Sequence, residues 1–270
     1  MPRNDTPSLS QPADPTPASD GKRTSADRSR LSMLERGVHV LQAFRPAGTP
    51  MTMSEIARRT GLPKATAHRL IEELTSLGLL ERSRDRYVLG RPLFELGELV
   101  PVKHRLREAA LPFMQDLYEA THETIHLGVR DDLDVLYVEK IRGHSGVDVP
   151  SRPGGRLPLS STGVGKTLLA FSRDDVVAQV VGRPLRRLTE HSITDPKVLE
   201  GELAQIRAAG VGYDHEEASI GVSCVAAPVI VHGEPIAALS ITVPTSHLQP
   251  ARLAPAVKTA ALGMARRLGR

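Results

Sequence analysis

Two short runs in this chain hold residues at spacings used in catalysis. A third holds hydrogen-bond donors with no catalytic partner. His122-Glu123-Thr124-Ile125-His126 is a literal HExxH match. On a helix, two such histidines share a face and grip zinc while the glutamate acts on the metal-bound water. The neighbours argue for a different backbone: Pro112 to Ala120 reads as the helix before the run, and Thr124 to Val129 alternates as a strand, with Gly128 a poor helix former. On a strand, residues four apart stand ~13 Å from each other, too far to share one metal.

The second run, Ser160 to Thr167, ends in Gly165-Lys166-Thr167 like a phosphate-binding loop, but Ser160 occupies the place of the obligatory first glycine. Leu157-Pro158-Leu159 is a poor strand to precede it. A less demanding use remains. Ser161 or Thr162 can cap a helix beginning at Gly163, leaving backbone N–H groups accessible to a carboxylate at the positive end of the helix dipole. Elsewhere, Ser223-Cys224 has no evident base nearby in sequence, and no carboxylate pair is placed for acid–base work. No catalytic constellation, metal site or cofactor is expected. Arg152 and Arg156, around a Pro-Gly-Gly turn, read as a solvated loop.

The third run is Lys64, Thr66, His68 and Arg69. These residues lie off the apolar stripe of Ala67, Leu70, Ile71, Leu74 and Leu77, in the first two turns of a helix opened by Pro63. Ahead of it, a Thr60-Gly61 turn follows a short helix that Ser54 can cap, with Ile56 and Ala57 facing inward and Arg58 and Arg59 at its end. This is the grammar of a helix-turn-helix, whose second helix enters the major groove of DNA by its N-terminal end. A third helix, Met33 to Phe44, is expected to turn Leu34, Val38, Leu41 and Phe44 toward the other two. After Leu80, a turn at Arg84-Asp85 between strand-forming residues predicts a β-hairpin wing bearing Arg82, Arg84 and Arg86.

Charge agrees with that reading. Residues 28–91 hold 12 Lys or Arg against 6 Asp or Glu, a formal +6, while the rest holds 23 against 25, or −2. A basic footprint confined to one domain suits phosphate binding. With only Phe44 and Tyr87 as aromatics there, duplex DNA is a better partner than stacked single strands.

Residues 1–29, rich in Pro, Ser, Asp and Thr, cannot offset their chain entropy by burial and are expected to be a disordered tail. Residues 92–103 read as a linker helix broken near Pro101, with Leu93, Phe94, Leu96, Leu99 and Val100 forming an apolar face that a second copy would cover. From 104 to 270 a helix from about His104 is followed by strands near Glu123–Arg130, Val135–Gly143, Gly146–Val149, Val211–Tyr213, Cys224–Val231 and Ile236–Val243. Helices are expected at about Thr162–Phe171, Arg173–Val180, Pro196–Ala209 and Arg252–Leu268. Hairpins rather than regular crossovers imply an α+β domain with a mainly antiparallel sheet. No apolar stretch approaches a membrane span, no signal-peptide core follows Met1, and a single cysteine suits a reducing compartment, so a cytoplasmic protein is expected.

Met33 to Phe44, Met51 to Leu80 and Arg86 to Gly90, followed in order by LPLSSTGVGKTLLA, GVGYDHEEASIGVSCVAAPV and PIAALSITVP, resemble the IclR family of bacterial transcriptional regulators over about residues 31–268. The resemblance implies a winged helix-turn-helix at 30–91 and a GAF-like effector-binding domain after the linker. It further implies a small-ligand pocket at the positions of Gly163, Val164, Asp214, Cys224, Ser240 and Thr242. There Gly163 and Val164 would donate by backbone N–H, Ser240 and Thr242 by hydroxyl, and Asp214 would accept or hold a donor. Each of these has a plainer reading from its residue type alone: solvated sheet face for Ser240 and Thr242, small core residue for Cys224, turn or cap for Asp214. Leu127, Val129 and Val147 are added as apolar walls. The expected partners are double-stranded operator DNA, a small carboxylic-acid effector and a second copy, as homodimer or tetramer, with no membrane. The alternative is a ligand-independent DNA binder whose C-terminal domain serves only oligomerisation.

Overall fold

The structure, a computed structural model, describes residues 31–45, 49–144 and 149–269, with backbone only at 101–104. The expected tail at 1–29 and residues 146–148 of an expected strand, Val147 among them, lie outside the described residues. The chain divides into two compact units between Leu99 and Val100.

The first unit contains α1 (Met33–Gln42), α2 (Met53–Thr60), α3 (Lys64–Ser76), the hairpin β1 (Leu80–Ser83) and β2 (Arg86–Leu89), and α4 (Arg91–Glu98). The cap of α2 is Thr52, not Ser54. Thr52 Oγ1 accepts from Glu55 N–H at 3.3 Å while Glu55 Oε2 accepts from Thr52 N–H at 2.7 Å, a reciprocal box that leaves Ser54 inside the first turn. Gly61, at φ 66°, closes α2 in the left-handed conformation, and Pro63 stands as the N-cap of α3, one residue ahead of the expected helical position. Ile56, Ala57, Leu62, Ala67, Leu70, Ile71, Leu74, Leu80 and Tyr87 form the core with Val40 and Phe44. Two expected core faces are corrected. In and just after α1, Gly37, Val40 and the expected Phe44 are buried with the expected Leu41 packed against the core, whereas the expected Leu34 (79% exposed) and Val38 stand in solvent; both stripes have helical spacing, and only one meets α3. Leu77, at the C-cap of α3, is 62% exposed because the helix has ended there.

In the second unit α5 (Pro101–Thr121) starts at Pro101 itself, ahead of the expected His104, since the fixed φ of proline suits a first helical position. A six-stranded sheet follows, of β3 (Thr124–Asp131), β4 (Asp134–Ile141), β5 (Arg156–Pro158), β6 (Gly212–His215), β7 (Val222–Val231) and β8 (Glu234–Pro244), in the order β5-β4-β3-β8-β7-β6 and antiparallel throughout. β5 is a strand where the sequence reading expected none. Pro158 pairs at the sheet edge, where its missing N–H is tolerated. The remaining helices are α6 (Gly163–Ala170), α7 (Asp174–Val181), α8 (Pro196–Ala209) and α9 (Pro250–Leu268). α5 and α9 cover one sheet face over Ile125, Leu127, Val129, Leu239 and Ile241. α6, backed by α8, covers the other over Val135, Tyr137, Ala226 and Ala238. Both faces are therefore buried, and the fold is a GAF-like α+β domain.

Candidate nucleic-acid interface and effector site

On α3, Lys64, His68 and Arg69 are exposed and Thr66 half-buried, while Ala67 and Leu70 between them hold the helix down. His68 Nε2 lies 3.8 Å from Glu72 Oε1, an exposed pair one turn on, and the Arg69 guanidinium reaches Met33 Sδ at 3.4 Å. Arg58 and Arg59 end α2; Arg59 Nη1 donates to the Ala43 carbonyl at 3.1 Å, so it also ties α2 to the end of α1. Arg84 forms the tip of the wing at φ 58°, and Arg86 Nη1 donates to Pro50 O at 2.9 Å with Glu55 3.7 Å away. Lys64 and Arg84 make no side-chain hydrogen bond or ion pair among the described residues. All eight candidates stand at the surface of one unit, three of them partly committed to holding it together.

The effector candidates come from four elements. Thr162 caps α6, accepting from Gly165 N–H at 2.9 Å. Gly163 opens the helix against Cys224: a Cβ there would lie 2.5 Å from Cys224 Sγ, so only glycine permits the approach. Across the sheet, Thr242 pairs with Cys224 and Cys224 with Asp214, so the three form one row running to the edge strand. Ser240 stands two residues along β8 on the same face, between His126 and Ala226. Asp214, Cys224, Ser240 and Thr242 are all buried, which removes the solvated-face reading of the two hydroxyls. Among the described residues the buried Ser240 hydroxyl has no hydrogen-bond partner.

Charge is scarce on this face. Burial, reinforced by Glu217 close by, pushes the Asp214 carboxyl up to about 7, although Glu217 N–H donates to its Oδ1 at 2.7 Å. Burial likewise raises the Cys224 thiol and the Tyr137 phenol, whose hydroxyl meets Thr162. Among the described residues the one fully buried cation is already spent: Lys166 Nζ contacts both Glu202 and Glu217. Burial works against that ammonium, but the two carboxylates hold its pKa above the ordinary lysine value. It therefore cannot reach a phosphate as a nucleotide-binding lysine would.

Two expectations are corrected, the apolar walls at Leu127 and Val129 and the solvated loop at Arg156. Leu127 and Val129 point to the α5–α9 side and cannot wall the α6 side, because alternation along β3 gives that side to His126 and Gly128. His122 ends α5 in the left-handed conformation while His126 is buried within β3, so the two histidines never share a helix. Among the described residues no group of three metal-ligating side chains converges. Arg156 pairs with Asp131 at the sheet edge.

Sequence reading placed Ser161 or Thr162 as the cap of α6 but missed His126, Tyr137 and Ser151 as neighbours of this site, and the Lys166–Glu217 contact beneath it. The strand alternation of β3 was signal enough to put His126 beside the hydroxyls of β8. Two surface depressions, of about 240 Å³ near Glu123, His247 and Arg252 and about 630 Å³ between α5 and α9, are lined by none of the effector candidates.

Comparison with known proteins places both units. Residues 33–84 match the IclR helix-turn-helix domain, and residues 100–269 match the bacterial transcriptional regulator IclR C-terminal domain. The regulator XynR of Escherichia coli K12 is 33% identical over 246 residues, covering 88% of this chain and 98% of its own. KdgR of the same organism is 37% identical over 205 residues, covering 74% and 78%. A crystal structure of an IclR homolog from Microbacterium hydrocarbonoxydans, complexed with 4-hydroxybenzoate, superposes with a TM-score of 0.80 at 34% identity, covering 88% and 99%. A basic helix-turn-helix unit followed by a GAF-like unit, each matching its family model and in the same order along the chain, leaves one conclusion: this chain belongs to the IclR family of bacterial transcriptional regulators.

Proposed function

We propose that this protein binds operator DNA as a homodimer or tetramer in the cytoplasm, and that a small carboxylic acid held on the α6 side of its sheet alters that binding. Lys64, Thr66, His68 and Arg69 read base edges, while Arg58, Arg59, Arg84 and Arg86 meet phosphates and supply salt dependence. Gly163, Val164, Asp214, Cys224, Ser240 and Thr242 hold the effector. The protein acts by binding, without turnover. In domain terms, 30–91 carries DNA recognition, 92–103 the linker and 104–270 the effector, with 1–29 a tail.

The observation that carries the effector reading is the unpartnered hydroxyl of buried Ser240, beside Thr242 on the same face. A buried polar group without a partner is costly, and a domain serving only oligomerisation would have no use for one. The 4-hydroxybenzoate of the solved relative is itself a small carboxylic acid. Exposed Leu34, Val38, Leu96 and Leu99 support a second copy over α1 and α4. The effector can shift operator affinity only by binding one arrangement of the dimer better than another.

The test is operator binding at fixed salt, on a duplex selected by the protein from a random pool, titrated with acetate, pyruvate, benzoate and 4-hydroxybenzoate. Release or tightening by one acid is expected. Specific DNA binding indifferent to all, with Ser240→Ala unchanged in every respect, favours the ligand-independent reading.

A further inference from the structure

A fully buried imidazole lies against the effector hydroxyls and has no part in the assignment above. His126 stands on β3 directly across from Ser240. Its Nδ1 lies 3.1 Å from Thr242 Oγ1 and its Nε2 lies 2.5 Å from Ser151 Oγ, with the Tyr137 ring centred 5.3 Å away. Burial, with Lys140 nearby, lowers its pKa to about 3, so the ring is neutral and has one N–H and one lone pair to share between these two hydroxyls.

The two tautomers have opposite consequences for Thr242. With hydrogen on Nε2, the ring donates to Ser151, and Thr242 must spend its own O–H on Nδ1. With hydrogen on Nδ1, Ser151 donates to the ring, the ring donates to Thr242, and the Thr242 O–H is left for something else. Hydroxyl donors make the shorter hydrogen bonds and N–H donors the longer ones. The short contact at Ser151 and the long one at Thr242 therefore match the Nδ1–H form. In that form Thr242 and the unpartnered Ser240 both offer an O–H on one face of β8.

We propose that His126, as its neutral Nδ1–H tautomer, is the positioning residue that fixes Thr242 as a hydrogen-bond donor, so that the Ser240–Thr242 pair selects a carboxylate over a hydroxyl. Ser151 orients the ring and His126 passes that orientation to Thr242. The two hydroxyls thereby meet an anion as neutral donors, while Lys140, across from His126, keeps its ammonium on the Ser151 and Val149 carbonyls. This rests on the effector reading given above.

Two measurements on the full-length protein test it. The first needs no ligand: long-range proton–nitrogen NMR of the imidazoles, with the His126 signals identified by their loss in His126→Gln. Hydrogen on Nδ1 and no titration between pH 5 and 8 are expected; hydrogen on Nε2, or titration in that range, overturns the proposal. The second is calorimetric titration with benzoate and 4-hydroxybenzoate, each against its alcohol counterpart. His126→Leu is expected to weaken the tighter acid by about tenfold or more, as when a hydrogen bond to a charged group is lost. His126→Gln, which keeps an N–H donor, restores most of it. In a Thr242→Val background His126→Leu adds less than about twofold, because coupled residues are not additive. Equal losses in both backgrounds would mean a merely structural histidine and sink the proposal alone. If neither acid binds the wild type, or Ser240→Ala and Thr242→Val bind like it, the effector reading fails and the proposal falls with it.

Discussion

The two sites differ in the medium that surrounds them. The face of α3 is wet, charged and built from side chains whose neighbours are mostly water; the α6 face of the sheet is dry, almost uncharged and built from small residues pressed against one another. Recognition on α3 is thus nearly separable from folding, because removing Lys64 uncovers nothing and removing Arg69 gives up only an exposed contact with Met33 Sδ. Around Gly163, Cys224 and Asp214 the groups that would touch a ligand also fill the core. Surface electrostatics yields to salt, and the interior yields to volume and to protons.

The largest effect that sharpens this contrast is expected at Lys166→Met. It keeps the length of the side chain but leaves Glu217, 5% exposed, without its cation. Breaking a buried ion pair from one side costs about 3–5 kcal/mol. Urea unfolding followed by circular dichroism should show that loss, and a change under about 0.5 kcal/mol, the size of an ordinary surface substitution, would mean that Glu217 is solvated in solution.

Asp214→Asn comes next, and its effect depends on pH. A carboxyl raised to about 7 from 3.8 binds more protons folded than unfolded, so its favourable contribution is complete below about pH 4 and is lost as pH rises through 7. The asparagine keeps an acceptor for Glu217 N–H and carries no charge. The variant should gain on the wild type between pH 4 and 8 by an amount on the order of a few kcal/mol, with the two converging in acid. His126 runs the other way: its depressed pKa gives stability present above about 6.5 and lost as pH falls toward 3. Identical pH profiles for Asp214→Asn and wild type would break the view of this face as dry.

These features differ in how far they could be read from the sequence. Gly61, Pro63 and the spacing of Ala67, Leu70, Ile71 and Leu74 announced the helix-turn-helix because caps and stripes are local. Thr52 was equally legible, three residues before Glu55, but a second hydroxyl at Ser54 competed with it. The two stripes of α1 could not be ranked, since both are apolar and only the fold decides which one faces α3. Leu127 and Val129 were misplaced for a related reason. Both faces of the sheet are buried, so alternation says that they share a side and not which helices cover it. The Lys166 contacts, 36 and 51 residues apart in sequence, leave no local trace.

On the wet side, Arg69→Ala is expected to cost about 1–3 kcal/mol of operator affinity if it reads a base edge, with its unfolding curve and effector binding unchanged. Specific binding retained at full strength would remove Arg69 from the reading set. A similar loss for all sequences, with a shallower salt slope, would make it a phosphate contact.

The smallest expected effect is the cleanest separation of recognition from folding. Arg84 sits at the wing tip at φ 58°, a conformation that costs a residue with a side chain roughly 1–2 kcal/mol and glycine almost nothing. Arg84→Gly removes one cation and that strain together. The greater freedom of glycine in the unfolded chain offsets part of the gain, leaving the variant about 0.5 kcal/mol more stable or level with the wild type. The Arg82 Nε contact at 3.1 Å is to the Arg84 carbonyl and survives the change. If Arg84 meets a phosphate, operator affinity should meanwhile fall for every sequence alike and the salt slope should shrink by about 1. Opposite signs for stability and affinity are expected here because the Arg84 side chain has no part in the fold, whereas at Gly163 a larger residue would disturb the packing and the ligand site together. A variant that loses both would place the wing tip with the dry site and erase the distinction.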